Sequence, residues 1–251
     1  MSIWSSGGLL EIPVSLETTF SGEVHPLGHC SRNDQDFRGR IYDGLESRSI
    51  QCPPVHTIDL SAYLIDRFEV VNAQYVSFVQ ATNHRHSPYE QQGNPDVANR
   101  PIMGVSWRDA DEYCRWIGGR LPTEAEWEKA ARGIDARTYP WGETSPNSTL
   151  LNYSRQSNGP LAVGNYPAGV SPFGIHDAAG NVWEWTNDWF GGTYYSTSPD
   201  KDPQGPEQGT LRVIRGGSWA ESDTFVLTFN RFWSSANTTS DLIGFRCVVG
   251  E

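Results

Sequence analysis

Cysteine, histidine, carboxylate and hydroxyl groups are the side chains through which this chain could do chemistry. The cysteines are Cys30, Cys52, Cys114 and Cys247. None forms a C-x-x-C, which excludes a zinc knuckle and a thioredoxin-like dithiol, and four are too few for a disulfide scaffold. The histidines are His25, His29, His56, His84, His86 and His176. His84-x-His86 is the close pair, and a mononuclear iron site would want such histidines beside a carboxylate. It lies among turn residues, so both histidines are read as solvent-facing loop side chains. Glu23, His25 and His29 form a second loose cluster with the same reading. Ser218, in the tetrapeptide G-G-S-W, does not sit in a G-x-S-x-G elbow and reads as a hydroxyl in a tight turn. No phosphate loop or dinucleotide fingerprint is present. Asn147, Asn152 and Asn237 open N-x-S/T sequons, relevant only in a glycosylating pathway.

The stretch from Ala220 to Ile243 has a different character. Ten of its 24 residues are Ser, Thr or Asn, it holds Phe225, Phe229, Phe232 and Trp233, and it has no Lys. Aromatic anchors among small adaptable polar groups is the composition of a paratope. The alternative is an ordinary pocket wall of packed phenylalanines.

The elements that would position these groups are legible in part. Residues 8–16 read as a first strand, and residues 20–54 as a long polar loop. Thr57 to Phe68 alternates like a strand, and Glu69 to Thr82 carries Val71, Gln74, Tyr75, Phe78 and Val79 at helical spacing. Residues 83–100 read as loop. A helix is expected from Ser106 as cap, with Trp107, Ala110, Cys114 and Ile117 on one face and Gly118-Gly119 as the stop. Another follows the capping box Thr123-x-x-Glu126, burying Trp127, Ala130 and Ala131 and ending at Gly133. Beyond residue 134 the pattern becomes short aromatic strands separated by Gly, Pro, Asn and Ser. Helices early and irregular β material late predict one α+β domain over residues 1–251.

The chain has 251 residues, 37% of them hydrophobic, which is enough to build a core. Glycine (25) and proline (16) are abundant and favour a turn-rich fold over a helical bundle. The formal net charge of −11 argues against nucleic acid and against an anionic membrane surface as partners. No apolar run is long enough to span a bilayer, and the N-terminus lacks the features of a signal peptide, so a cytoplasmic location is expected.

The segments GRLPTEAEWEKAARG (119–133), YPWGE (139–143), VGNYPAG (163–169), FGIHDAAGNVWEWTNDWF (173–190), RVIRGGSW (212–219) and IGFRC (243–247) occur in this order. In that series the chain resembles the formylglycine-generating enzyme family, also called the sulfatase-modifying factor family, from about residue 9 to 249. The resemblance implies a fold related to C-type lectins, with little regular secondary structure. It also implies a copper(I) site made by two cysteines shortly after G-G-S, since soft thiolates select Cu(I). Those positions fall here on Glu221 and Val226, so no copper and no formylglycine chemistry are expected. Cys114 and Cys247 match a family disulfide; two packed thiols are the alternative. Asp177, Gly180, Val182 and Glu184 match a structural calcium site, whose all-oxygen donors suit a hard cation, and Asn152 matches a residue of a second one. The alternative for the first is an Asx-turn at Asp177 and a surface Glu184. Ergothioneine-type sulfoxide synthases share this domain, but their iron histidines come largely from a further helical domain.

Two functions follow from the resemblance. The first is a binding module that uses the former active-site surface for a protein, peptide or small-molecule ligand. Retroelement-diversified variable proteins of the same fold place their variable region between G-G-S-W and G-F-R. The expected ligand-binding residues are Ser218, Trp219, Glu221, Ser222, Asp223, Phe225, Phe229 and Trp233, within residues 216–246. The second is an oxidoreductase of altered chemistry, like the pyoverdine-maturation oxidase branch.

Overall fold

The computed structural model describes residues 9–12, 58–90 and 94–249. The possible pair Cys30/Cys52, the cluster Glu23/His25/His29 and the polar loop at 20–54 lie outside those residues. The first strand, β1, is Leu9–Ile12. It pairs antiparallel with β2, Tyr63–Asp66, which is shorter than the alternation suggests. The stretch before β2 touches the rest of the chain through Asp59, bridged to Lys201, and through Ser61, whose amide and hydroxyl donate to Asp202.

Four helices follow: α1 Asn72–Thr82, α2 Pro95–Ala98, α3 Trp107–Trp116 and α4 Glu124–Arg132. Helix α1 starts where the Gln74 side chain accepts from the Val71 amide and stops at Asn83, which takes the left-handed conformation. Helix α2 lies in the stretch read as loop, where Asn94 caps a proline start. Helices α3 and α4 begin at Ser106 and Thr123, each the first member of a capping box with Asp109 or Glu126.

The β material forms two sheets. In the larger, β3 (Trp183–Trp189) is flanked by β4 (Leu211–Arg215) antiparallel and β6 (Ile243–Gly244) parallel, and β5 (Phe232–Ser235) closes the β4 edge. In the smaller, β2 lies between β1 and β7, Val248–Val249. Helices α1 and α3 pack Tyr75, Phe78, Ala110, Tyr113 and Cys114 against Trp183, Trp185 and Phe245 of the larger sheet. Helix α4 packs Trp127, Ala130 and Ala131 against Ile65, Ile175 and Val248. A disulfide joins Cys114 of α3 to Cys247.

Charge is buried to an unusual degree. Arg246, fully buried, places every guanidinium donor: on both oxygens of Glu184 at 2.7 Å, on the His176 carbonyl at 2.8 Å, and on the carbonyls of Asp66 and Arg67. Arg215 reaches Glu128 at 2.6 Å and the carbonyls of Thr228, Phe229 and Asn230, while Arg231 grips Glu124 with two bonds. Lone buried charges are prohibitive, so these pairs fix the loops that carry them.

Candidate functional site

The G-G-S-W turn sets the site. Gly216 and Gly217 have φ of +95° and +80°, a region closed to most other residues. A Cβ on Gly217 would come within 2.8 Å of Val226 Cγ1, so glycine lets residues 225–226 close over the turn. Ser218 is fully buried and its Oγ accepts from the Ala220 amide, as expected of a turn hydroxyl. The Trp219 amide donates to the Asn181 carbonyl.

A second backbone segment grips the turn. The amides of Ser154 and Arg155 donate to the carbonyls of Glu221 and Trp219 at 2.7 and 2.8 Å. Both residues have φ near +55°, a conformation costing an L-residue roughly 1–2 kcal/mol. The grip places the Arg155 guanidinium over the Trp219 ring, 5.4 Å from its centre.

Around Glu221 the structure gathers rings. Trp183 Nε1 points at Glu221 Oε1 at 3.5 Å. Phe232 packs on Trp183 with ring centres 5.0 Å apart, and Phe225 packs on Phe232 at 5.3 Å. Phe225 and Phe232 keep part of their surface in solvent, and Trp183 is buried beneath them. Burial among these groups raises the Glu221 carboxyl above the usual carboxylate range, against the Trp183 hydrogen bond and the Arg155 charge.

Of the expected ligand-binding residues, Ser218, Trp219, Glu221, Ser222, Asp223 and Phe225 come together. Phe229 packs apart from them, and Trp233 borders them through Phe232. Phe229 lies under Arg132, its ring centre 5.3 Å from that guanidinium. Trp233, next to Phe232 on β5, stacks on Phe190 at 4.1 Å and keeps a second ring contact with Phe232 at 6.1 Å, so it borders the Phe225–Phe232 surface. Phe232 and Trp183 join the group. The stretch between them is also less loop-like than its composition suggests, because Val226, Thr228, Asn230 and Arg231 are buried. They belong to the frame held by Arg215 and Arg231.

The residues matched to calcium do other work. Both Glu184 oxygens are taken by Arg246, and Oε2 also accepts from Trp127 Nε1. Asp177 accepts from the Gly164 amide, and Glu69 accepts from Asn181 and Val182. Glu184 is therefore fully buried rather than a surface residue. These side chains do not fit a calcium shell of six to eight oxygens, and among the described residues no group of three or more His, Cys, Asp or Glu could hold a metal. Asn152 is buried, its Nδ2 donating to Gly159 and Asn181 and its Oδ1 accepting from Ser157. His84 is not a solvent-facing loop residue: it is wedged beside Phe78 with Nε2 on Asp109 and Nδ1 near Glu112. His86 faces Glu90.

The buried acids, Asp66, Glu69 and Asp177 near Arg246 and Asp188 near Arg231, give the fold a pH dependence. Burial pushes Asp66 and Asp177 up to about 6 from an ordinary 3.8, raises Glu69 well above its usual value, and with help from Glu124 pushes Asp188 up to about 8. Folded pKa values above unfolded ones mean that the folded chain binds more protons between those limits. Stability is then fullest below the unfolded value and falls as pH rises through the folded one. The melting temperature should be higher at pH 5 than at pH 8, and Asp177→Asn, a mimic of the protonated acid, should narrow that gap. A melting temperature that climbs from pH 5 to pH 8 would contradict this assignment.

Residues 28–250 match the family model described as a sulfatase-modifying factor enzyme 1-like domain. The chain belongs to that family. The formylglycine-generating enzyme of Streptomyces coelicolor is 35% identical over 296 residues, covering 94% of this chain and 91% of its own. A serine/threonine-protein kinase of Chlamydia caviae is 35% identical over 217 residues, covering 78% of this chain and only 34% of the relative's length. Among solved structures, Treponema denticola variable protein 1 superimposes with a TM-score of 0.71 at 23% identity, covering 96% of this chain and 94% of its own. That likeness is one of fold: mixed α+β with few helices and short strands. Among the described residues no helix is long and apolar enough to cross a membrane.

Proposed function

We propose that this member of the family is a binding module, and that its ligand sits on the rings of Phe225 and Phe232 beside Glu221. One observation carries the reading: partly exposed aromatic rings and a partly buried carboxyl are held by a frame, the G-G-S-W turn on one side and the β4–β5 pair on the other. A rigid scaffold presenting aromatic anchors loses little entropy on binding. The copper reading has no support at this place, because Glu221 is a hard ligand and Val226, with no donor atom, is buried. The proposed ligand is a protein, a peptide or a small molecule.

Selection of binders from a random peptide library on the folded protein tests this. Phe225→Ala and Phe232→Ala should each weaken the selected peptides by about 2 kcal/mol, roughly 30-fold. Trp233→Ala should weaken them less than Phe232→Ala does, since its ring packs mainly on Phe190 and only borders Phe232. Binders indifferent to Phe225 and Phe232, or formylglycine appearing in a C-x-P-x-R peptide supplied with copper(I), would overturn the reading.

A further inference from the structure

The loop that grips the G-G-S-W turn also carries a reactive step. Asn158-Gly159 is the one Asn-Gly dipeptide in the chain. Asn158 is exposed and Gly159 is buried. Asparagine is thermolabile, because its carboxamide carbon lies close to the next backbone nitrogen and a five-membered ring can close between them. A following glycine leaves that nitrogen unshielded and its backbone free to turn. Room exists for the ring, since a Cβ on Gly159 would meet no heavy atom within 4 Å. Asn147-Ser148 is a comparable exposed step, but the Asn147 carboxamide oxygen accepts from the Thr149 amide and hydroxyl at 3.0 and 2.6 Å. Asn152 and Asn181 are buried and precede the bulky Tyr153 and Val182.

The step has leverage on the turn. The Gly159 carbonyl accepts from Asn152 Nδ2 at 3.1 Å and from Ser157 Oγ. Asn152 Nδ2 also donates to Asn181 Oδ1, and the Asn181 carbonyl accepts from the Trp219 amide at 2.8 Å. Earlier in the same loop, the Ser154 and Arg155 amides hold the Glu221 and Trp219 carbonyls. We infer that Asn158 is a self-modification site that loosens this grip. The Gly159 nitrogen attacks Asn158 Cγ, the new C–N bond replaces the bond to Nδ2, and ammonia leaves with the proton given up by the Gly159 amide. Water then opens the succinimide to aspartate or isoaspartate, and nothing is oxidised or reduced. Isoaspartate adds a methylene to the main chain just before Gly159. That shift moves the Gly159 carbonyl off Asn152 and Ser157 and frees residues 152–155 from the turn. The inference is independent of the binding reading.

Ageing the whole protein at pH 8, followed by peptide mass spectrometry, tests the chemistry. Amide-to-acid conversion at Asn158 should run about tenfold faster than at Asn147, a barrier difference of about 1.4 kcal/mol. Part of the product should be a substrate for an isoaspartyl-specific methyltransferase, and Asn158→Gln, whose longer side chain closes the ring poorly, should stay unmodified. Hydrogen exchange reads the leverage. In the isoaspartyl fraction the amides of Ser154, Arg155 and Trp219 should exchange severalfold faster than in fresh protein, with helix α3 unchanged. Asn158→Asp, which adds the charge without the methylene, should match fresh protein. Conversion at Asn158 no faster than at Asn147 overturns the modification site. Conversion that leaves those three amides unchanged, or that speeds α3 equally, overturns the leverage on the turn. Asn158→Asp exchanging as fast as the isoaspartyl form overturns main-chain lengthening as its cause.

Discussion

Replacing Arg246 with methionine is expected to cost about 3–5 kcal/mol, the usual cost of stripping one partner from a buried ion pair. The guanidinium is fully buried and ties together the Asp66–Arg67 backbone, the His176 carbonyl and Glu184. Without it Glu184 keeps only the Trp127 indole bond, in a neighbourhood that already holds Asp177 and Glu69. Such a loss is a large share of the 5–15 kcal/mol that holds typical domains folded, so urea titration of the variant should show a large drop in midpoint. The pair Glu184→Gln/Arg246→Met removes both charges together, and at least half the loss should return. Chelation of divalent ions should move the parent's midpoint far less than the single substitution does, because Arg246 takes both Glu184 oxygens. A parent destabilised by EDTA as strongly as by Arg246→Met would assign this cluster to calcium after all.

The parts of this architecture that were legible in the chain are those governed by local rules. Helices α3 and α4 announce themselves through capping boxes, because a cap is a contact between residues three apart. Their buried faces follow from the spacing of Ala110 and Cys114 and of Trp127, Ala130 and Ala131. What local rules miss is set at long range. Alternation over Thr57 to Phe68 cannot say that only Tyr63–Asp66 finds partner strands. That Phe232 packs on Trp183 while Trp233 packs on Phe190 and Phe232 depends on the register of β5 against β4. Arg215, Arg231 and Arg246 read as surface residues by type, yet each is buried because an acid far along the chain meets it. Glu124 and Glu128, the partners of Arg231 and Arg215, look like the solvent face of α4 and are its charged interior. The Glu221 neighbourhood was half legible: position after G-G-S-W marked it, but Trp183 and Arg155 enter from segments that no spacing rule connects to it.

The Cys114–Cys247 bond should be worth about as much as Arg246. It closes a loop with a sequence separation of 133 residues, and loop-closure entropy for about 100 residues is roughly 4.7 kcal/mol, with measured losses of 2–5 kcal/mol in small domains. Its location adds to that figure's meaning. Cys114 lies on the buried face of α3 beside Tyr113, and Cys247 follows Arg246 directly, with its amide on Asp66. The bond thus anchors α3 to the one segment that also carries the buried guanidinium. Cys114→Ala/Cys247→Val, chosen to keep the site apolar, should lower the urea midpoint by an amount equivalent to about 2–5 kcal/mol. Both cysteines are essentially inaccessible, at 0% and 1% exposure, so a thiol reductant should act on the parent only through opening of the fold, and its rate should rise steeply with urea. A double variant within about 0.5 kcal/mol of the parent, a shift typical of harmless surface changes, would show that packing of α3 on the sheet, rather than the covalent tie, holds the G-F-R segment in place.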